Sequence, residues 1–228
     1  MGDVLAMIRG MVLALALGLA ACSSGGEGTT SPLTEATRLI TQKIKGRNKA
    51  PPPPAAQLTR AALEDAKGPL ILASIERSKA AATLRLARQN GGYGTWVSLD
   101  KLSVTLKQGV LSASRGLPGD LLAGETDATL AALRTDESSS YGKVMRYIGG
   151  DRQILKSRLS CRMDPVGAET IEILERSHAT RHMAEVCSDS YGGTIRNDYW
   201  IGDDGTLWQS RQYLHPVMGY ITFQQLLK

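Results

Sequence analysis

The sequence has few residues that support metal, redox or nucleophilic chemistry. Its 228 residues include only three cysteines and three histidines, and it contains no Cys-x-x-Cys pair, no Gly-x-Ser-x-Gly turn and no phosphate-binding loop. His178 and His182 are four residues apart, but the Glu of the metalloprotease helix pattern is missing between them and the surrounding pattern favours a strand. We therefore expect no metal, no cofactor and no enzymatic activity.

Long apolar runs are also absent. One short run extends from Met11 to Ala21, follows Arg9 and contains neither a charge nor a proline. A membrane-spanning helix needs roughly 20 apolar residues, whereas the core of a signal peptide needs about 7 to 15. Residues 1–21 are therefore predicted to be a signal peptide, and the small residues before Cys22 mark its cleavage site.

The segment from Leu19 to Cys22 resembles the lipobox of bacterial lipoproteins. In these proteins the cysteine thiol becomes a diacylglycerol thioether and the peptidase cuts just before it, so the resemblance implies lipidation of Cys22. Ser23 and Ser24 fit default sorting to the outer membrane, because the aspartate that retains a lipoprotein in the inner membrane is missing. Two alternatives stay open: an ordinary secretory peptide with an incidental cysteine, and a buried apolar N-terminal helix.

Composition divides the mature chain into three parts. Residues 22–30 are rich in serine, glycine and threonine and predict a flexible tether. Residues 31–68 predict helices interrupted by a run of prolines, the second helix covering Ala55–Lys67. Residues 69–228 carry a strand-like pattern and are predicted to form one β-rich domain.

Beyond Pro69 the apolar periodicity changes from 3.6 to 2. Apolar and polar residues alternate over 102–107, and Gln108-Gly109 then supplies a two-residue turn. Asp203-Asp204-Gly205 is another strong hairpin signal. About ten strands without a βαβ rhythm predict an all-β protein: an antiparallel meander curled into an open barrel or sandwich, with short N-terminal helices.

The pattern also gives predictions for five further segments of this domain. Leu121–Leu133 fits either a helix or an irregular crossover. Residues 152–161 and 170–175 are predicted to be two separate strands. Residues 194–201 and 219–227 are predicted to be strands of the closing part of the sheet.

Besides Cys22, the chain has only Cys161 and Cys187. An even pair in an oxidising compartment predicts a disulfide. It closes a loop of about 26 residues and is expected to stabilise the fold by roughly 3 kcal/mol. Two thiols without nearby histidines do not make a zinc site.

The net charge of +5 favours acidic partners. An acidic polysaccharide or an anionic lipid surface is compatible with it. No block of lysine and arginine with interleaved aromatics is present, so we expect no nucleic-acid partner. A well-solvated basic surface without a binding role stays open as the alternative.

Aromatic residues are few, and most of them lie near the C-terminus: after Ser190 there are seven of the eleven. Exposed tryptophan and tyrosine beside arginine would stack on sugar rings and pair with acidic groups. The candidate glycan or partner contacts are Tyr199, Trp200, Trp208, Arg211 and Tyr213. Because Tyr199 and Trp200 point to opposite faces of one strand, only one of them is expected on each face. The alternative is a cross-strand aromatic core in the closing hairpin.

Several separated motifs resemble those of the YjbF/GfcB family of group 4 capsule lipoproteins. They are Gly109–Leu117, Gly119–Leu121, Cys161-Arg162, Glu185–Cys187, Asn197–Ile201, Leu207–Gln212, Pro216 and Gly219-Tyr220. The resemblance covers most of the chain from Leu70 onward and leaves the predicted helices outside.

This resemblance implies an outer-membrane lipoprotein on the periplasmic side, acting beside an outer-membrane β-barrel and other polysaccharide-export proteins. It supplies no catalytic residue. The resulting hypothesis is a non-enzymatic accessory factor in exopolysaccharide or capsule production or export, with glycan binding as an added element. Two alternatives remain: a barrel-like periplasmic carrier of a small apolar ligand, which needs a lined cavity, and a polysaccharide-modifying enzyme, which needs convergent carboxylates.

Overall fold

The structure is a computed structural model that describes residues 58–63, 66–149 and 153–228. The predicted signal peptide, Cys22, the tether and the first predicted helix lie outside these residues. Of the second predicted helix, Ala55–Lys67, the described part contains a single 3₁₀ turn at Ala61–Leu63. Among the described residues, no helix combines the length and the apolar character needed to cross a membrane.

The described residues contain twelve strands in one antiparallel sheet, which confirms the all-β prediction with two strands more than about ten. The strands are β1 Leu70–Ile75, β2 Ala80–Asn90, β3 Tyr93–Val97, β4 Ser103–Lys107, β5 Val110–Arg115, β6 Leu121–Gly124, β7 Ser139–Ile148, β8 Ile154–Ile173, β9 Arg176–Asp189, β10 Thr194–Ile201, β11 Leu207–His215 and β12 Gly219–Leu227.

The order of the strands makes the sheet a meander that nearly closes on itself. The order is β5-β4-β3-β2-β1-β12-β11-β10-β9-β8-β7-β6. The two edge strands, β5 and β6, are consecutive in the chain and are bridged by side chains. Ser112 Oγ donates to the Gly124 carbonyl at 3.3 Å, and the Leu121 N–H donates to Ser114 Oγ at 2.9 Å. These side-chain bonds connect β5 to β6, the two ends of the backbone-paired sheet, and so complete a nearly closed barrel.

Turn chemistry fixes the register of the predicted hairpin at 102–114. Gln108 and Gly109 have φ of 47° and 88°, as a type I′ turn requires, and Lys107 pairs with Val110 across it. A Cβ on Gly109 would lie 2.6 Å from Leu207 Cδ2, so glycine is needed there for space as well as for its backbone conformation.

The barrel interior is filled by the inward side chains of the alternating strands. The main apolar cluster includes Ile71, Trp96, Leu106, Leu121, Met145, Leu159, Leu214, Ile221 and Phe223. Successive inward positions of a strand lie two residues apart, as Ile221 and Phe223 of β12 do, so the apolar alternation of the sequence produces one buried face.

The prediction of two strands at 152–161 and 170–175 is wrong, because both lie in the 20-residue strand β8. Its pairing with β7 ends at Met163, so β9 is its only neighbour at Pro165 among the described strands. A proline is tolerated there because one side of the strand no longer needs a donor. A bulge between Pro165 and Gly167 absorbs the remaining irregularity.

The undecided segment Leu121–Leu133 contains two elements. Strand β6 is followed by a short helix, α1, at Asp127–Ala132. Leu130 and Leu133 pack with Met163, Met183 and Tyr199 in a second buried cluster. The helix therefore supplies side chains to the interior, which a crossover on the surface would not do.

The ends of β8 and β9 extend past β7 and form an arm that folds over the outside of the sheet. Ile171 and Ile173 of β8 pack against Leu70 of β1, Leu226 of β12 and Leu63. β8 and β12 are not neighbours in the sheet, so this third apolar cluster holds the arm against the outer face.

Candidate functional site

A disulfide joins Cys161 of β8 to Cys187 of β9, which confirms the predicted pairing. The two residues are direct cross-strand partners with Cα atoms 4.0 Å apart, and both are buried. Their sulfurs lie with a Glu185 carboxylate oxygen in a group whose atoms are within 4.8 Å of one another. Since both sulfurs are engaged in the disulfide, they are not thiolate ligands for a metal.

A buried ionic cluster lies beside this disulfide. Glu185 of β9 is 0% exposed, and Lys143 Nζ of β7 lies 2.7 Å from its Oε2. Four further donors surround the carboxylate: Tyr141 Oη at 2.6 Å, Thr129 Oγ1 at 2.9 Å, Asn197 Nδ2 at 2.6 Å and Tyr199 Oη at 3.1 Å. The cluster joins β7, β9, β10 and α1, and it gives the buried charges a complete set of partners.

The electrostatics of the cluster favour the ionised form of Glu185. Burial alone would raise the pKa of Glu185, but the charge of Lys143 and hydrogen bonds from Lys143, Tyr141 and Asn197 hold the pKa below its ordinary value of 4.5. Burial and the nearby carboxylate raise the pKa of Tyr141 and Tyr199 well above 10. Both phenols therefore stay protonated and act as donors.

A pH titration of stability tests this assignment. Because the folded pKa of Glu185 lies below 4.5, its stabilising contribution is present above about pH 4.5 and is lost as the pH falls through the folded pKa. We expect the free energy of unfolding, measured with urea from pH 7 to pH 3, to fall more steeply below pH 4.5 in the wild type than in Glu185→Gln. Parallel profiles would contradict the assignment.

The cluster is inaccessible to a polymer, so its chemistry is structural. The cluster was not predicted from the sequence, although the strand alternation contains a signal for it. Lys143 shares the inward phase of β7 with Met145, and Glu185 shares that of β9 with Met183 and Cys187. A charged residue at the apolar phase of two strands indicates a buried pair.

Tyr199 is not a surface contact, contrary to the sequence-based assignment. Its side chain is fully buried and bonds Glu185, because β10 turns this residue inward. Trp200 follows it on the outer face and is half-buried. Its Nε1 donates to Glu169 Oε2 at 2.8 Å, and its ring stacks on His182 with centroids 4.5 Å apart.

The other three predicted contacts lie on the outer face of β11. Trp208 is half-buried, and its ring lies against that of His178 with centroids 3.8 Å apart and the planes inclined at 31°. Arg211 donates to Glu76 Oε2 at 2.8 Å and lies 3.6 Å over the ring of Tyr220. Tyr213 contacts Tyr220 edge-on, at 5.4 Å between centroids. Arg211 and Tyr213 thus form one group around Tyr220, and Trp208 belongs to the arm contact.

His182 is held between two carboxylates on the same outer face. Its Nδ1 lies 3.1 Å from Glu169 Oε2 and its Nε2 lies 2.9 Å from Asp198 Oδ1. Arg196 also binds Asp198, at 2.9 Å. These contacts tie β8, β9 and β10 together and orient the Trp200 ring.

Comparisons with known proteins agree with this architecture. Residues 35–226 match the model of a family described as group 4 capsule polysaccharide lipoprotein gfcB, YjbF. A crystal structure titled hypothetical lipoprotein YmcC from Escherichia coli (K12) is similar to this chain, with a TM-score of 0.66 and 16% sequence identity. The similarity covers 88% of this chain and 98% of that chain, and at this identity it shows the fold alone. No curated protein matches the sequence.

Proposed function

Because the chain belongs to the YjbF family of group 4 capsule polysaccharide lipoproteins, we propose that it is a non-enzymatic accessory factor in capsule or exopolysaccharide production or export. In this proposal a lipid on Cys22 holds the barrel at the periplasmic face of the outer membrane. The observation that carries the proposal is the family match over residues 35–226, which includes all twelve described strands except the last residue of β12.

The distribution of carboxylates supports a non-enzymatic role. Glu185 is buried and fully paired. Asp204 lies in the β10–β11 turn, where it accepts the Thr206 N–H and pairs with Lys228. Paired carboxylates in a fold-stabilising setting are not the two facing acids that glycoside hydrolysis uses.

The filled interior supports a role other than carrying a small apolar ligand. The inward positions of the described strands are occupied by buried side chains such as Met163, Met183 and Leu214. A carrier of the barrel type needs an open, apolar-lined interior instead.

An exposed aliphatic patch supports contact with a protein partner. Ile148 of β7 and Ile154 of β8 are register partners at the end of their hairpin, and they are 52% and 60% exposed. Contiguous exposed apolar side chains of this kind are typical of interaction surfaces. We propose that this aliphatic patch contacts an outer-membrane component of polysaccharide export.

The anchor is tested by Cys22→Ser. We expect the wild type to incorporate labelled palmitate and to fractionate with the outer membrane, and Cys22→Ser to lose all of the label, because the acylated thiol is gone. Retained label in the variant, or a wild-type protein that stays in the cytosol with an uncleaved leader, would contradict the anchor.

The same labelled membranes serve to find the partner. After crosslinking, we expect a polysaccharide-export component to be recovered with the wild type. We expect Ile154→Asp to reduce this recovery about tenfold. Both results together support the accessory role. Leu99→Asp is the matched control, because Leu99 is 96% exposed and lies outside the aliphatic patch. Recovery of no export component by the wild type would remove the accessory role.

A further inference from the structure

The tip of the β8–β9 arm and the end of β12 enclose a pocket of about 250 Å³. Its apolar wall includes the buried Ile173 and Leu226. The lining also includes Arg60, Arg176, His178, Trp208 and Lys228. Sites that enclose drug-sized ligands measure roughly 300–1,000 Å³, so this pocket suits a ligand of one small ring.

Among the residues that the structure describes, three cationic side chains and no acidic side chain line the pocket. Lys228 is paired with Asp204 at 2.7 Å. The side chains of Arg60 and Arg176 form no ion pair with any carboxylate of the described residues. In addition, Nε of Arg60 is buried and has no hydrogen-bond partner within the described part of the chain. An anionic oxygen would satisfy this donor and balance the two guanidinium charges.

His178 lines the pocket together with these cationic side chains. Burial lowers the pKa of His178, and the charges of Arg60, Arg176 and Lys228 lower it further. The imidazole is therefore neutral near pH 7 and lies against the Trp208 ring. This neutral ring pair lies beside guanidinium groups that have no carboxylate partner among the described residues, which gives the pocket both an apolar surface and a positive potential.

We propose that this pocket binds one acidic sugar unit through its carboxylate. The guanidinium groups of Arg60 and Arg176 hold the carboxylate, and the apolar wall contacts the sugar ring. The choice of a sugar rests on the proposed function, whereas the need for an anion rests on the charges of the pocket alone. Of the five candidate contacts predicted from the sequence, one, Trp208, lines this pocket.

The proposal is tested by titrating glucuronate into the full chain purified in a non-ionic detergent. We expect saturable binding that weakens with added salt, because the contacts are between charges. Glucose, which has the same ring without the carboxylate, should not compete. Arg60→Gln and Arg176→Gln should each raise the Kd about tenfold, because each loses a charge-assisted contact. Arg88→Gln is the matched control, since Arg88 is exposed on β2.

The proposal would be overturned by equal binding of glucose, by an unchanged Kd in a correctly folded Arg176→Gln, or by tighter binding of inorganic phosphate than of glucuronate. Binding to vesicles that contain an anionic phospholipid is measured as a further test. Vesicle binding that requires Arg60 and Arg176, without glucuronate binding, would overturn the sugar assignment in favour of a lipid headgroup.

The same variants separate this proposal from the proposed function. If glucuronate binds but Arg176→Gln leaves the amount of surface polysaccharide unchanged, the binding site is supported and its role in polysaccharide production is contradicted. If glucuronate does not bind while crosslinking still recovers an export component, the proposed binding site is contradicted and the accessory role is still supported.

Discussion

Replacing Lys143 with methionine is expected to lower the free energy of unfolding by about 3–5 kcal/mol. The substitution preserves much of the side-chain volume but leaves the carboxylate of Glu185, which is 0% exposed, without its cation. The remaining donors on β10 and α1 are neutral and replace only part of the lost interaction. Urea unfolding at pH 7 measures the difference.

A double-mutant cycle distinguishes the lost ion pair from lost packing. Lys143→Met combined with Glu185→Gln removes both charges and keeps a carbonyl oxygen for the surrounding donors, so we expect it to recover much of the loss. Lys156→Met is the control, because Lys156 is an exposed lysine on the neighbouring strand, and its effect should stay within about 0.5 kcal/mol. A loss of less than about 1 kcal/mol in Lys143→Met would contradict the role assigned to the pair.

The strands that sequence predicts best are those in which alternation and turn chemistry agree. The bounds of β10 and β12 match the predicted ranges 194–201 and 219–227, and the 108–109 turn has the predicted two-residue geometry. The strand β8 was divided wrongly because no local pattern indicates that the pairing of β8 with β7 ends at Met163. Whether a strand has one neighbour or two is a property of the whole sheet.

The closure of the barrel by side-chain bonds could not be predicted from the sequence either. The β5–β6 seam depends on Ser112, Ser114 and Arg115, whose side chains bond backbone groups of the facing segment. Serine and arginine near a glycine-containing turn look like ordinary surface residues in a sequence. Their role requires that two strands far apart in the order of pairing meet in space.

The candidate contacts show a similar division between local and global information. Alternation predicts that Tyr199 and Trp200 point to opposite faces, and the structure agrees. It does not say which face is the interior, and Tyr199 was therefore included with the surface residues. The cationic pocket escaped prediction because Arg60, Arg176 and Lys228 are distant in sequence and converge only when the arm folds over β12.

Removal of the disulfide by Cys161→Ala with Cys187→Ala is expected to lower the free energy of unfolding by about 2–5 kcal/mol. The disulfide closes a loop of 26 residues in the unfolded chain. It also joins β8 to β9 two residues from Glu185, so its loss removes packing beside the ionic cluster. Equilibrium urea unfolding measures the change.

Reductant supplies the matched comparison for this variant. Because both cysteines are buried, a thiol reaches them chiefly when the barrel opens. Equilibrium unfolding of the wild type with excess dithiothreitol should therefore approach the midpoint of the double alanine variant, whereas the variant itself should be insensitive to the reductant. A wild type that keeps its midpoint after complete reduction would show that the 26-residue loop is already constrained in the unfolded chain, and it would contradict the stabilisation assigned to the disulfide.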